Sequence, residues 1–351
     1  MLGGFPGLAE IAARDRGLFP PPGPDLPGRL RDALGVLELK ARDVRIERRW
    51  TGADLEGEEL SWTVGFGPRT RAFLLRPRGA AGPLPGVVAM HCHAGMKWAG
   101  KDKIADGPEP PAAEVVRLRA RIYGGRAYAN ELARRGFAVL AHDVFAWGGR
   151  RFPLPLESGA EADEADRYDR AARDHEHVLA KACTVLGTSF AGVLASEDLA
   201  AAAYLRSRPD IGSVATIGLS GGGVRAALLG ALDPEIGAVV AAAAVSSFRD
   251  LREEHVAAHS WMLFPPGLTR LADWPGVLAA RAPAPLMVLY AEADPLFPAE
   301  GMRRAHRQLT AAYRKAPDRY TGAFFDAPHL FDRPMQEAAF GWLSGIHRHS
   351  R

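Results

Sequence analysis

Cysteine is nearly missing from this sequence: 351 residues contain two, Cys92 and Cys183. That excludes a disulfide scaffold and a cysteine-rich zinc site. Net charge is also scarce, with 44 Lys and Arg against 41 Asp and Glu, a balance of +3. A phosphate-tracking surface needs a larger positive excess, so nucleic acid is not an expected partner. No uncharged apolar run is long enough to cross a bilayer, and no membrane association is expected. The opening stretch, MLGGFPGLAEIAARDRGLFPPPGPD, lacks a basic start followed by a continuous apolar core. It does not read as a signal peptide, and the expected location is the cytoplasm. Internal repeats and long low-complexity tracts are missing too.

What is present is ordinary for a globular protein. Hydrophobic residues make up 47% and charged residues 24%, enough for a sizeable core. The length suits one large α/β domain or two small ones. Short helices are expected over about 5–17 and 28–41, on either side of the proline-rich FPPPGPDLPG. VRIERRWT, ELSWTVGFG and TRAFLLRP then alternate apolar and polar residues, as half-buried antiparallel strands do. The first third therefore reads as peripheral to the core.

From Pro85 the rhythm changes. GVVAMHC, FAVLAHDVF, SVATIGLS, GAVVAAAAV and APLMVLYAEAD are nearly continuous apolar runs, the pattern of parallel strands covered on both faces. Helical segments separate most of them, and RYTGAFFDA with MQEAAFGWLSGIHRH closes the chain as strand and helix. The alternation predicts a mostly parallel, doubly wound α/β sheet with N-terminal antiparallel strands. Two long connections, KWAGKDKIADGPEPPAAEVVRLRARIY and the stretch from Ser246 to about residue 280, are candidates for site-covering or lid-like insertions.

Gly218-Leu219-Ser220-Gly221-Gly222 fits G-x-S-x-G at the junction of an expected strand and an expected helix. A sharp turn there holds a serine hydroxyl above the sheet edge. Side chains two positions to either side would clash, which accounts for Gly218 and Gly222. The Gly221 N–H then points toward a developing oxyanion. The competing reading is a plain glycine-rich turn, but no G-x-G-x-x-G or P-loop lysine accompanies it.

A serine needs a base, and the base needs an acid to orient it. Around such an elbow the chain order is serine, acid, histidine. Asp294, in the loop after LMVLYA and followed by Pro295, is the expected acid, with Glu292 as the fallback. His329 in FFDAPHLFD, between the last strand and the last helix, is the expected base. Asp326 and Asp332 flank it and could fix its loop. Its competitors are His255 and His259 in the insertion and His347 and His349 in the tail.

The second oxyanion donor is expected from His91-Cys92-His93-Ala94-Gly95-Met96-Lys97, at the backbone N–H of His93 or Ala94. A metal pair at His91 and His93 is the minority reading, because no acidic or cysteine cluster completes it. No metal or cofactor is expected. Cys92 reads as a small buried residue. Trp98, Lys97, Trp261 and Phe264 are the candidate substrate wall, together with Met262; the alternative is that the aromatics only pack the insertion onto the sheet.

Taken together, HCHAGMKWAGKDKI, the LRSRPDIG that precedes IGLSGGG, PPGLTRLADWPGVLAARAPAPLMVLYAEADPLFP and DAPHLFDRPMQEAAFGWL resemble the α/β-hydrolase superfamily. The resemblance is to its dienelactone-hydrolase-like and acetyl-xylan-esterase-like bacterial branch, over roughly 70–345. It implies an α/β-hydrolase fold, with residues 1–60 packing on a catalytic domain of 61–351 and an insertion at about 246–280. It also implies cofactor-free hydrolysis of a small ester by Ser220, His329 and Asp294 through an acyl-serine. Cys92 and Ala94 depart from the family, whose members often carry glycine in this loop. Peptide, amide or lactone substrates stay open, as does a homo-oligomer. A binding scaffold of this fold without activity would be expected to lack a triad member.

Overall fold

A computed structural model of the chain describes residues 4–156 and 163–348; His349 lies outside the described residues. The strands are β1 (Arg42–Thr51), β2 (Leu55–Thr63), β3 (Thr70–Pro77), β4 (Leu84–Met90), β5 (Ala138–His142), β6 (Ile211–Leu219), β7 (Ile236–Ala242), β8 (Leu286–Ala291) and β9 (Tyr320–Phe325). They form one nine-stranded sheet in the order β1-β2-β3-β5-β4-β6-β7-β8-β9. From β5 to β9 every pairing is parallel. β1, β2 and β3 make an antiparallel wing joined through β5.

The helices are α1 (Pro6–Arg16), α2 (Leu26–Leu34), α3 (Ala113–Ile122), α4 (Tyr128–Arg134), α5 (Glu164–Val185), α6 (Phe190–Ser207), α7 (Gly221–Leu232), α8 (Glu253–Ala258), α9 (Trp274–Ala279), α10 (Ala299–Ala312) and α11 (Arg333–Arg348). They cover both faces of the sheet. Successive strand residues alternate sides, so Val88 and Met90 of β4 pack with α2, α6, α7, α9 and α10, while Val87 and Ala89 pack with α4 and α11. The doubly wound expectation describes this architecture.

Three expectations need correction. The first third is not peripheral. Leu26, Leu30 and Leu34 of α2 are buried, and Leu74 and Leu75 of β3 are buried on opposite faces, because β3 pairs directly with β5. Position 60 falls inside β2. The helix expected to run to 41 stops at Leu34, where Gly35 adopts φ 63° and caps it; a left-handed cap there favours glycine. The third difference is α5, a 22-residue helix not anticipated at all. Its buried stripe is Ala165, Tyr168, Ala172, Glu176, Leu179, Ala180 and Cys183. The spacing is helical, but small residues and a glutamate stand where large apolar ones would have signalled it. The Asp163 carboxylate caps its start by accepting from the Asp166 N–H at 2.8 Å.

Candidate active site

Ser220 stands between β6 and α7 with φ 55° and ψ −123°. A side chain at φ above zero is strained, and the surroundings enforce it. The Ser220 N–H donates to the Ala242 carbonyl of β7 at 2.8 Å. A Cβ on Gly218 would overlap the Gly222 carbonyl group, and one on Gly222 would overlap the Met90 carbonyl oxygen. The glycines are therefore the condition for folding α7 back against β4 and β6.

His329 lies in the loop between β9 and α11. Its Nδ1 donates to Asp294 Oδ2 at 2.6 Å, and the Asp294 side chain is fully buried. The other carboxylate oxygen accepts from the Leu296 N–H at 2.8 Å, which fixes its plane. With Nδ1 committed, Nε2 is left as the proton acceptor. Glu292 instead turns outward to Arg303, 3.7 Å away, and is half-exposed. Asp332 caps α11, accepting from the Met335 N–H at 3.1 Å; Asp326 is exposed.

Ser220 and His329 together line two cavities. The smaller, about 170 Å³, has an apolar wall of Val224, Met262, Leu263, Leu296 and Phe297, with His259 and Ser260 from the insertion. The larger, about 360 Å³, is walled by Cys92, Ile122, Leu219, Pro295 and Leu330, with Arg121 also lining it. Ala94 borders both. The His259 Nε2 donates to the Leu296 carbonyl at 3.0 Å, and burial pushes its pKa down to about 4, so it is neutral at pH 7.

The loop after β4 faces this junction. A Cβ on Gly221 would lie 3.1 Å from the His93 nitrogen, so the His93 backbone comes close to the start of α7. Ala94 carries φ 52°, a conformation that glycine would hold without strain. Lys103 compensates from beneath. Fully buried, its ammonium donates to the carbonyls of Cys92 (2.6 Å), Met96 (2.8 Å) and His93 (3.2 Å).

The His93 ring is held at both nitrogens. Nδ1 accepts from the Gly95 N–H at 3.0 Å, so Nε2 carries the proton and donates to Glu176 Oε2 at 3.0 Å. Burial lowers the His93 pKa, in keeping with a neutral ring. Both ring nitrogens are thus engaged within the protein. Among the described residues, no group of three or more His, Cys, Asp and Glu is placed to hold a metal ion.

Glu176, absent from the sequence-based candidates, is the hub behind the cleft. Lys97 Nζ approaches the same Oε2 at 2.5 Å, over the rings of Trp147 and Phe190. Oε1 accepts from the Ser260 hydroxyl at 2.6 Å and the Trp261 N–H at 3.0 Å. Burial would raise the pKa of this carboxyl, but the His93 hydrogen bond and the Lys97 charge outweigh it and hold it far below the usual range. An acid on the buried stripe of α5 is the one signal that could have found it.

The expected substrate wall is corrected accordingly. Lys97 is buried and committed to Glu176. Trp98 lines a separate cavity with Phe73, Lys101 and Arg151, drawn there because its N–H and that of Lys97 both donate to Asp169. Trp261 and Phe264 line another, against Phe190 and Pro265, with the Trp261 indole N–H on His177. Of the candidate wall residues, Met262 is the one that lines the cavity beside Ser220, with its insertion neighbours His259 and Leu263.

The model of the dienelactone hydrolase family matches residues 113–339. YtaP of Bacillus subtilis (strain 168), a hydrolase by name only, is 26% identical over 292 residues, covering 82% of this chain and 83% of its own. A Bacteroides fragilis NCTC 9343 structure titled as an acetyl xylan esterase superposes with a TM-score of 0.70 at 15% identity, covering 97% of this chain and 94% of that one. A glucuronoyl esterase from Solibacter usitatus gives 0.61 at 15% identity, covering 91% of each chain. At such identities the likeness to these structures shows the fold alone.

Proposed function

Since the chain belongs to the dienelactone hydrolase family and has the α/β-hydrolase fold, it is a hydrolase, and we propose that it cleaves small carboxylic esters through an acyl-Ser220 intermediate. The observation that carries this reading is His329, bound to buried Asp294 through Nδ1 and bordering the same cavities as Ser220.

Ser220 Oγ attacks the ester carbonyl as His329 Nε2 takes its proton. Asp294 keeps the imidazole in the required tautomer and stabilises its charged form. The oxyanion meets the N–H groups of His93 and Gly221; one such donor is commonly worth about 10²–10³ in kcat. Collapse expels the alcohol, which recovers the proton from His329. A water, deprotonated by the same histidine, then releases the acid. The small apolar chamber suits a short acyl group, being well under the roughly 300–1,000 Å³ of pockets for larger ligands. The larger chamber suits the alcohol, for which acetylated sugars are the leading class. A lactone enters the same cycle with its alcohol still tethered.

The test is fluorophosphonate labelling together with turnover of p-nitrophenyl acetate. Ser220→Ala is expected to lose both while its circular dichroism is unchanged. Turnover retained by that variant would sink the assignment. A panel of sugar acetates, lactones and peptide amides then orders the substrate classes.

A further inference from the structure

We propose that Glu176 is a positioning residue that sets the oxyanion loop with one carboxylate oxygen and the substrate cover with the other. The inference rests on the ester-hydrolase reading and names a residue that reading does not need.

The two oxygens face different parts of the site. Oε2 takes the His93 Nε2–H, and Oε1 takes the Ser260 hydroxyl and the Trp261 N–H. His93 and Ala94 line the small chamber from the loop after β4, and His259, Ser260 and Met262 line it from the insertion. Glu176 therefore ties the two together from behind. Lys97 matters to the charge balance. Because its ammonium sits on Oε2, the carboxylate is neutralised without a proton on His93. His93 can then stay neutral and accept from Gly95 through Nδ1. A ring fastened at both nitrogens is fixed in orientation, and the backbone N–H of the same residue is the donor that the proposed cycle pairs with Gly221. Transition-state stabilisation needs such a donor held in place before charge develops.

Glutamine at this position tests the idea. It has one acceptor oxygen, and its NH₂ must face a donor on one side or the other. Glu176→Gln is expected to lower kcat for p-nitrophenyl acetate by at least about tenfold, and to slow fluorophosphonate labelling in parallel. The two halves are separable. His93→Leu keeps the backbone donor but removes the ring's two hydrogen bonds, and should lower kcat with KM within about threefold of wild type. Ser260→Ala cuts only the cover side, and should raise KM with kcat nearly unchanged. These two variants decide the matter if Glu176→Gln does not fold. Wild-type kcat and labelling rate in Glu176→Gln, or in His93→Leu, would overturn the proposal, since a purely structural glutamate would move the melting temperature alone. Failure of the ester-hydrolase reading itself is distinguishable, because wild type would then take no label at Ser220.

Discussion

Asp294 and Glu292 are two residues apart at the end of one strand, and their fates differ because of a single turn. The Leu296 N–H draws Asp294 inward at 2.8 Å, where His329 meets it; Glu292 is left on the rim with Arg303. Asparagine in place of Asp294 would present an NH₂ or an uncharged oxygen to His329 Nδ1. Asp294→Asn should therefore lower kcat about 10³–10⁴-fold, while Glu292→Gln leaves it within about twofold, as expected of an exposed rim ion pair. Steady-state hydrolysis of p-nitrophenyl acetate by the two variants makes the comparison, and a larger loss at Glu292 would reverse the assignment. This choice was readable from the sequence through chain order and Pro295. The direction of Lys97, Trp98, Trp261 and Phe264 was not. Residue type identifies a large side chain, but Asp169, Glu176 and His177 decide where Trp98, Lys97 and Trp261 are held, and Phe248 and His259 pack against Phe264.

Among the elements, α7 shows most plainly how the elbow is supported. All 12 of its residues are buried, and one of them is an arginine. Arg225 makes a two-pronged contact with Asp198 of α6, at 2.9 and 2.6 Å, and reaches the His91 carbonyl at 3.3 Å. It thus ties the helix that follows the serine to the start of the loop after β4. Arg225→Ala would leave a fully buried Asp198 without its counter-charge, an error worth about 3–5 kcal/mol. A urea titration should show that loss as a lower midpoint with an unchanged slope. The core strands were legible because strands buried on both faces are apolar without interruption. α5 was not, because its inward stripe is made of alanines, a tyrosine, a leucine, a cysteine and Glu176 rather than a row of large apolar residues. The same acid that hides the helix from a hydrophobicity reading joins the loop after β4 to the insertion.

At the scale of the whole molecule, buried imidazoles set the response to acid. His91, His93 and His259 all have pKa values depressed by burial, His259 to about 4. Such a group takes up its proton in the unfolded chain first, near pH 6.5, and in the folded protein only below its lowered value. Stability is therefore complete above about pH 6.5 and is lost as pH falls toward 4, by about 1.4 kcal/mol for each unit of depression. Calorimetric melting temperatures should be level from pH 8 to about 6.5 and fall below it. A midpoint that holds down to about pH 5 would assign acid lability to carboxylates alone. The order serine, acid, histidine was legible at this scale because the sheet's winding returns each loop to one edge. The partnership of loop 93–97, α5 and the insertion was not, since no periodicity links three segments separated by so much chain.

The division of the cleft has a kinetic corollary. Ser220 and His329 border both chambers, so on the proposed cycle the acyl group would stay on Ser220 in the smaller one once the alcohol has left the larger. Water is then only one of the nucleophiles that can enter. On this geometry hydrolysis and transfer to a second alcohol are branches of one intermediate, and the ratio between them belongs to the acyl-enzyme rather than to the ester that formed it.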